Sequence, residues 1–228
     1  MFSIEKPKIF IVGVAFFFNM LFLLPVAQAK KYDAPHELVD KATITMKRFL
    51  QDQQMSWLRE HLKEAKGVII IPQLIKGAFF IGGSGGSGVL LARYPGNDWS
   101  YPAFYTLGSV SFGLQFGGEV SEIVLLIMTQ KGIDAFLSTA VKLGGDLSVA
   151  AGPIGMGAKA QLVDILAFGR SKGAFIGISL EGAVIKPRDS WNRIYYGKPV
   201  RPVDIIYGRL VKNPHADPLR SLLKKYCR

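Results

Sequence analysis

Residues 67–93, GVIIIPQLIKGAFFIGGSGGSGVLLAR, constrain the fold most, because three apolar runs meet there around a proline and a string of glycines. Residues 68–71 form a short β-branched run stopped by Pro72, which cannot donate to a sheet ladder. Residues 78–81 and 89–92 flank GGSGGSG, whose glycines take positive φ without steric cost, so the pattern predicts a strand, a loop and a β-hairpin. Apolar strands this short are buried strands.

The glycine segment itself, Gly82, Gly83, Ser84, Gly85, Gly86, Ser87 and Gly88, matches G-x-S-x-G, G-x-G-x-x-G and the glycine spacing of a P-loop. A nucleophile elbow and a dinucleotide fingerprint both need a helix directly afterwards, whereas residues 89–93 read as strand closed by Tyr94-Pro95-Gly96-Asn97. A P-loop needs lysine where Val89 stands. The segment is read as a flexible hairpin loop, and a cradle of backbone N–H groups for a phosphate or other anion is the competing reading.

The 228 residues suffice for one domain with a proper core. Residues 1–29 are set apart from it as a signal peptide. Lys6 and Lys8 precede an apolar run at 9–24, and Ala27-Gln28-Ala29 is an A-x-A cleavage site. The expected mature protein starts near Lys30 and is periplasmic or secreted, with peripheral membrane association open to it. An uncleaved anchor competes, but the run falls short of the roughly 20 residues a bilayer requires. The one cysteine, Cys227, leaves no intramolecular disulfide and no lipidation site after the signal peptide.

The formal charge of +11 is uneven: residues 67–185 hold seven basic and seven acidic side chains, and residues 186–228 hold eleven and three. A neutral body with a basic end suits an anionic surface, and outside the cytoplasm that means lipid headgroups or polyanionic glycans rather than nucleic acid. Positive charge serving solubility alone is the competing account.

In chain order, residues 35–65 read as helical, with Pro35 in the first turn after Asp33, Leu38, Ala42, Met46 and Phe49 on one stripe, and a break at 51–54. A second short helix carries Trp57, Leu58, Leu62 and Ala65. This amphipathic pair packs on the sheet or lies in a membrane interface. Trp99 to Pro102 looks like a turn into an edge strand; Val110, Phe112, Leu114 and Phe116 alternate as a half-buried strand. Residues 123–128 read as a strand covered on both sides, and 132–143 as a short helix. From Asp146 onward, short glycine-spaced segments suggest an antiparallel meander.

Several motifs in order carry a resemblance: Ala65-Lys66-Gly67-Val68 through Pro72, the run from Ile81 to Val89, Trp99-Ser100, Gly113-Leu114-Gln115, Ala151-Gly152-Pro153 and Gly177-Ile178-Ser179-Leu180-Glu181-Gly182. Together they resemble the SYLF domain, also called the Ysc84 actin-binding domain, over about residues 35–196. The resemblance implies a module that binds phosphoinositides and other anionic phospholipids, partly through an N-terminal amphipathic helix, with actin bound by the yeast type. With its signal peptide and without an SH3 or FYVE domain, the chain looks like the bacterial, exported branch, for which actin is an unlikely partner.

Catalytic groups are sparse. His36, His61 and His215 show no metal-ligand spacing, and Glu119 with Glu122 reads as a surface or salt-bridged pair. A Ser84 nucleophile would need His215 with Asp189 or Asp204 to reach it. The sequence thus predicts an α+β fold, N-terminal amphipathic helices packed on a glycine-rich, mainly antiparallel β-sheet with a barrel-like core. The expected division is signal peptide 1–29, lipid-binding domain 30–196 and basic C-terminal tail 197–228. The expected function is non-enzymatic binding of anionic phospholipid at a membrane surface, without cofactor or metal. An envelope structural or interaction protein whose basic tail docks an acidic partner is the alternative. The candidate lipid contacts are Lys41, Lys47, Arg48, Lys76, Arg93, Lys159, Arg188, Arg193, Lys198 and Arg201 with the glycine loop. Should charge prove irrelevant, an apolar pocket near Phe79, Phe112, Phe116 and Phe175 is the next place to look.

Overall fold

The computed structural model describes residues 33–78, 81–112, 117–152, 163–171, 174–176 and 180–227. Helix α1 (Ala34–Gln51) starts where Asp33 accepts a hydrogen bond from the His36 N–H at 3.1 Å, with proline in its first turn. Its stripe of Leu38, Ala42, Met46 and Phe49 is buried. The helix stops at Asp52, whose carboxylate caps the following 3₁₀ turn through Gln54 N–H, and α2 (Ser56–Leu62) then buries Leu58 and Leu62.

Strand β1 (Gly67–Ala78) pairs antiparallel with both β2 (Ile81–Ala92) and β4 (Gly117–Ile127), and β3 (Ala103–Phe112) pairs with β2. Helix α3 (Gln130–Phe136) follows β4, and β5 (Val141–Lys142), β6 (Val149–Ala151), β7 (Ile165–Ser171), β8 (Ala174–Ile176) and β9 (Val184–Pro187) complete the sheet. Its order is β5-β9-β3-β2-β1-β4-β7-β6, with β8 beside β7. The chain is α+β, and among the described residues every strand pairs antiparallel with its neighbour except β6, which runs parallel to β7.

Four local expectations are corrected. The glycine run is not a loop: Gly82 through Gly88 lie inside β2, in register with β1 on one side and β3 on the other. Among the described glycines, positive φ occurs only at Gly96, Gly144, Gly182 and Gly197. Pro72 does not end β1 but sits in a bulge, where Ile71 and Pro72 together oppose Gly88 and the missing N–H costs no ladder bond. The late strands do not form a meander, because β9 crosses to pair with β3 at the far side of the sheet. Helix α3 also ends earlier than expected, at Phe136, and residues 141–142 become strand.

The sheet separates two apolar layers. Val68, Ile70, Val89, Leu91, Phe104, Val124, Leu126 and Phe168 face α1, α2 and α6 (Asp217–Tyr226). Their neighbours Ile69, Ile71, Leu90, Tyr105, Ile123, Leu125 and Ile127 face α3 and α5 (Pro202–Ile206). Strand β4, with residues in both layers, is the doubly covered strand expected of its continuous apolar run. Residues 197–227 are folded: α5 buries Ile205 and Ile206, and α6 buries Leu219 and Leu223. Among the described residues, no helix is long and apolar enough to cross a membrane.

Candidate functional site

Alternation along the strands gives the α1 side of the sheet a second, uncovered region. Continuing from Val89 and Leu91, Ser87, Gly85 and Gly83 point to that side. Past the bulge, Ile75 and Gly77 point there too, since Leu74 belongs to the opposite layer. Register then lines up one row across five strands: Val184 beside Gly108, Gly85, Ile75 and Val120. Val184 is 39% exposed, Ile75 54% and Val120 51%. The glycines between them leave a flat apolar floor: a Cβ built on Gly108 or Gly77 meets nothing within 4 Å, and one on Gly85 finds its nearest atom at 3.9 Å.

Helix α1 borders this floor. Glu37, Lys41, Ile44 and Arg48 follow one another at three- and four-residue spacing on the side of α1 away from its buried stripe, and Ile44 is 51% exposed. Arg48 pairs with Glu122 of β4 at 2.9 Å, and Thr45 donates to the same carboxylate at 3.1 Å, which straps the helix to the strand. Lys41 pairs with Glu37 at 2.7 Å. Between α1 and the bulged strands runs a groove of about 290 Å³ lined by Lys41, Gln73, Ile75, Gly85, Ser87 and Trp191.

At the groove's edge lies Arg188, between β9 and α4 (Asp189–Tyr196). Its Nη1 donates to Ser87 Oγ at 2.8 Å, and its guanidinium carbon stands 3.6 Å from the centre of the Trp191 ring. Its backbone N–H is tied to Phe104 O at 2.8 Å. Burial lowers its affinity for the proton below the ordinary arginine value. On the neighbouring strand row, Lys186 is exposed beside Thr106.

The candidate cations therefore fall in separate places. Lys41, Arg48 and Arg188 surround the glycine floor, whereas Lys47 is an exposed residue of α1. Lys76 points to the opposite side of the sheet, in register with Glu119. Arg93 lies at the far end of β2 and donates to Lys63 O. Arg193, Lys198 and Arg201 cluster around α4 and α5, where Lys198 donates to Leu210 O at 3.1 Å and Arg201 approaches Asp204 at 3.8 Å. Lys159, Phe79 and Phe116 lie outside the described residues, as do the side chains of Phe112 and Phe175. Trp191 and the exposed aliphatics were not singled out from the sequence, whereas Ser87 was named within the glycine segment and Glu122 with Glu119 as a surface or salt-bridged pair. Ile44 alone carried a local signal, as an apolar residue on the charged side of α1.

No hydrolytic triad forms at Ser84. Its hydroxyl is on the side of the sheet away from α1 and shares a 2.7 Å hydrogen bond with Ser109. His215 instead lies 3.2 Å from Asp40 and 3.2 Å from the Tyr195 hydroxyl. Among the described residues, no group of three His, Cys, Asp or Glu gathers closely enough to hold a metal.

The profile of the family described as Ysc84, Las17-binding protein actin regulator, matches residues 108–226. SH3 domain-containing YSC84-like protein 1 of Bos taurus is 32% identical over 171 residues, covering 72% of this chain and 50% of that protein. LAS seventeen-binding protein 3 of Saccharomyces cerevisiae is 35% identical over 171 residues, 72% of this chain and 37% of that protein. The chain thus spans half or less of the length of these relatives. Matched in profile over residues 108–226, and in identity over nearly three quarters of its length, the chain belongs to the Ysc84 (SYLF) family.

Proposed function

We propose that this chain is a non-enzymatic module that docks on anionic phospholipid through the glycine floor and its basic border. The carrying observation is the coincidence, on one sheet face, of three half-exposed aliphatic side chains, Ile75, Val120 and Val184, with Lys41, Arg48, Lys186 and Arg188 around them. Flat apolar surface edged by cations is the composition that partitions into a headgroup layer. Each half-exposed aliphatic contributes about 1 kcal/mol on leaving water, and each basic residue near an anionic surface contributes about 1 kcal/mol more. Export after cleavage at Ala29 would place this face against membranes outside the cytoplasm; an intact mass that retains residues 1–29 overturns that part.

The family's description supports a second reading, in which the same face takes a polypeptide of the Las17 or actin kind. Flotation of the full chain with vesicles of phosphatidylcholine alone, or with added phosphatidylglycerol, separates the two. The expected result is binding to the anionic vesicles only, weakened by Ile75→Asp and Val120→Asp and by 1 M salt, where the Debye length is about 3 Å. Flotation that ignores both substitutions overturns this face as the docking surface.

A further inference from the structure

We propose that the pocket between the β2–β3 connection and the turn that follows α5 is a binding site for a small dicarboxylate, held by Arg209 and Lys212 beside Tyr94. It lies past the Ala92 end of β2, away from the glycine floor, and serves a ligand other than a membrane.

Arg209 carries the argument. The chain leaves α5 by a turn in which the Leu210 N–H returns to Asp204 O at 3.0 Å, a closure that places a left-handed residue just before Leu210. Glycine is usual there, yet the residue is Arg209, with φ of 51°. The adjacent Gly208 does not use positive φ; it is small because a Cβ there would stand 2.9 Å from Asp204 O. The turn itself gains nothing from a guanidinium, so the strained backbone points to what that side chain does beyond the turn. Its carbon stands 3.8 Å from the centre of the Tyr94 ring, and the Tyr94 hydroxyl donates to Ile206 O at 2.6 Å, which anchors the ring. Stacking sets the plane of the guanidinium before a ligand arrives, and its fork matches the two oxygens of one carboxylate.

The charges around the pocket are unequally met. Arg220 stacks on Tyr101 at 4.1 Å and is already engaged, donating to Trp99 O at 2.8 Å and pairing with Asp217 at 2.8 Å and Asp98 at 3.4 Å. Lys224 shares Asp98 at 3.7 Å, so these two cations and two acids balance. Among the described residues, neither Arg209 nor Lys212 pairs with a carboxylate, which leaves two positive charges for a ligand to meet. The pocket holds about 320 Å³, and small-molecule sites start at about 300 Å³. With Tyr94, Trp99 and Tyr101 in its walls, it suits an organic body carrying two carboxylates better than a bare inorganic anion.

The test titrates the full chain with succinate, acetate and inorganic phosphate at constant ionic strength, read by NMR shifts of backbone amides. Arg209→Gly removes the fork while suiting the left-handed turn, and Lys212→Gln removes an exposed charge; thermal melts confirm that both fold. The expected result is saturable succinate binding with shifts at Tyr94, Tyr101 and residues 205–212, about tenfold weaker in each variant, the loss expected for one charge-assisted contact. Acetate should bind more weakly than succinate, and vesicle flotation should be the same in both variants as in the parent chain. Shifts that grow without saturation, or a succinate affinity equal in the parent and both variants, overturn the site. Phosphate that binds the same residues as tightly as succinate overturns the carboxylate assignment. Flotation lost in Arg209→Gly, with succinate binding untouched, gives that arginine to the membrane and overturns the proposal.

Discussion

Replacing Asp164 by asparagine tests whether one carboxylate ties together the ends of four elements. Its Oδ1 accepts from Thr129 Oγ1 at 2.7 Å, and its Oδ2 accepts from the Ser148 N–H and hydroxyl, each at 3.0 Å. Thr129 caps α3 just after β4, Ser148 leads into β6, and Asp164 precedes β7. Lys131 also approaches at 3.3 Å, but its side chain is 67% exposed and adds little. Burial pushes the Asp164 carboxyl up, yet the bonds from Thr129 and Ser148 outweigh it and hold the group below the ordinary aspartate value. Asparagine keeps an oxygen for Thr129 but turns an NH₂ group toward the Ser148 N–H, which loses its acceptor. An orphaned buried donor with its charge assistance gone costs about 2–3 kcal/mol. For a domain of this size that lowers the melting temperature by about 4–12 °C at pH 7. Because the folded pKa is depressed, the carboxylate's contribution is present above the unfolded value of about 3.9 and is lost as pH falls through the folded one. Circular-dichroism melts from pH 7 down to about pH 3 should therefore show the gap between wild type and variant closing with acid. A gap under about 2 °C at pH 7, or one equally wide at both ends, refutes the reasoning.

Gly88→Ala places a Cβ 2.7 Å from Ile70 O and from Ile71 Cγ1 and should cost about 1–3 kcal/mol, whereas Gly85→Ala, with nothing nearer than 3.9 Å, should be neutral or slightly stabilising. Equal melting temperatures for the two would show that the bulge does not crowd Gly88. Asn192→Ala strips the Phe104 N–H of an acceptor at 2.9 Å in a fully buried place, so the expected loss is about 1–3 kcal/mol with faster hydrogen exchange at the Phe104 amide. An unchanged Phe104 exchange rate would count against that bond. Reversing Lys41 and Lys186 to glutamate should weaken vesicle flotation strongly at low salt, while reversing Arg193, Lys198 and Arg201 should leave it nearly intact. The opposite ranking would move the docking face to α4 and α5.

The parts legible in the sequence were those with local signals. Asp33, Pro35 and the 3.6-residue stripe set α1 without help from the rest of the chain, and the β-branched residues before Pro72 announced a strand. The glycine run was misread because glycine records permissiveness but no direction. Flanked by β1 and β3 it extends, and no residue inside GGSGGSG could reveal those flanks. The crossing of β9 to β3 and the parallel β6–β7 pair are likewise contacts between distant segments. Composition placed Arg188 among ten candidate cations but could not rank it, since its hydroxyl partner, Ser87, is 101 residues away. Arg193 and Lys198 have the same chemistry and only a few residues separate them from Arg188, yet they border other elements.

The bulge at Pro72 is the step that joins fold to site. Up to Ile71, β1 alternates with Val68 and Ile70 toward α1, and strict alternation would then send Leu74 and Lys76 to that side. One extra residue reverses the phase: Leu74 enters the α3 layer, Lys76 faces Glu119, and Ile75 with Gly77 turns toward the floor beneath α1. The same insertion drives the β1 backbone toward β2, so that a Cβ on Gly86 would stand 2.6 Å from Gln73 O and one on Gly88 2.7 Å from Ile70 O. Those two glycines are therefore needed by packing. Gly83, Gly85 and Gly77 on the other face have milder neighbours or none, and a sheet seeking only stability would fill them with β-branched residues. Their smallness keeps the Val184 to Val120 row flat and the groove beside Ser87 open. That pattern is what a surface for a ligand requires, and it is why the open glycines, rather than the crowded ones, are the positions at which substitution should change binding without changing the fold.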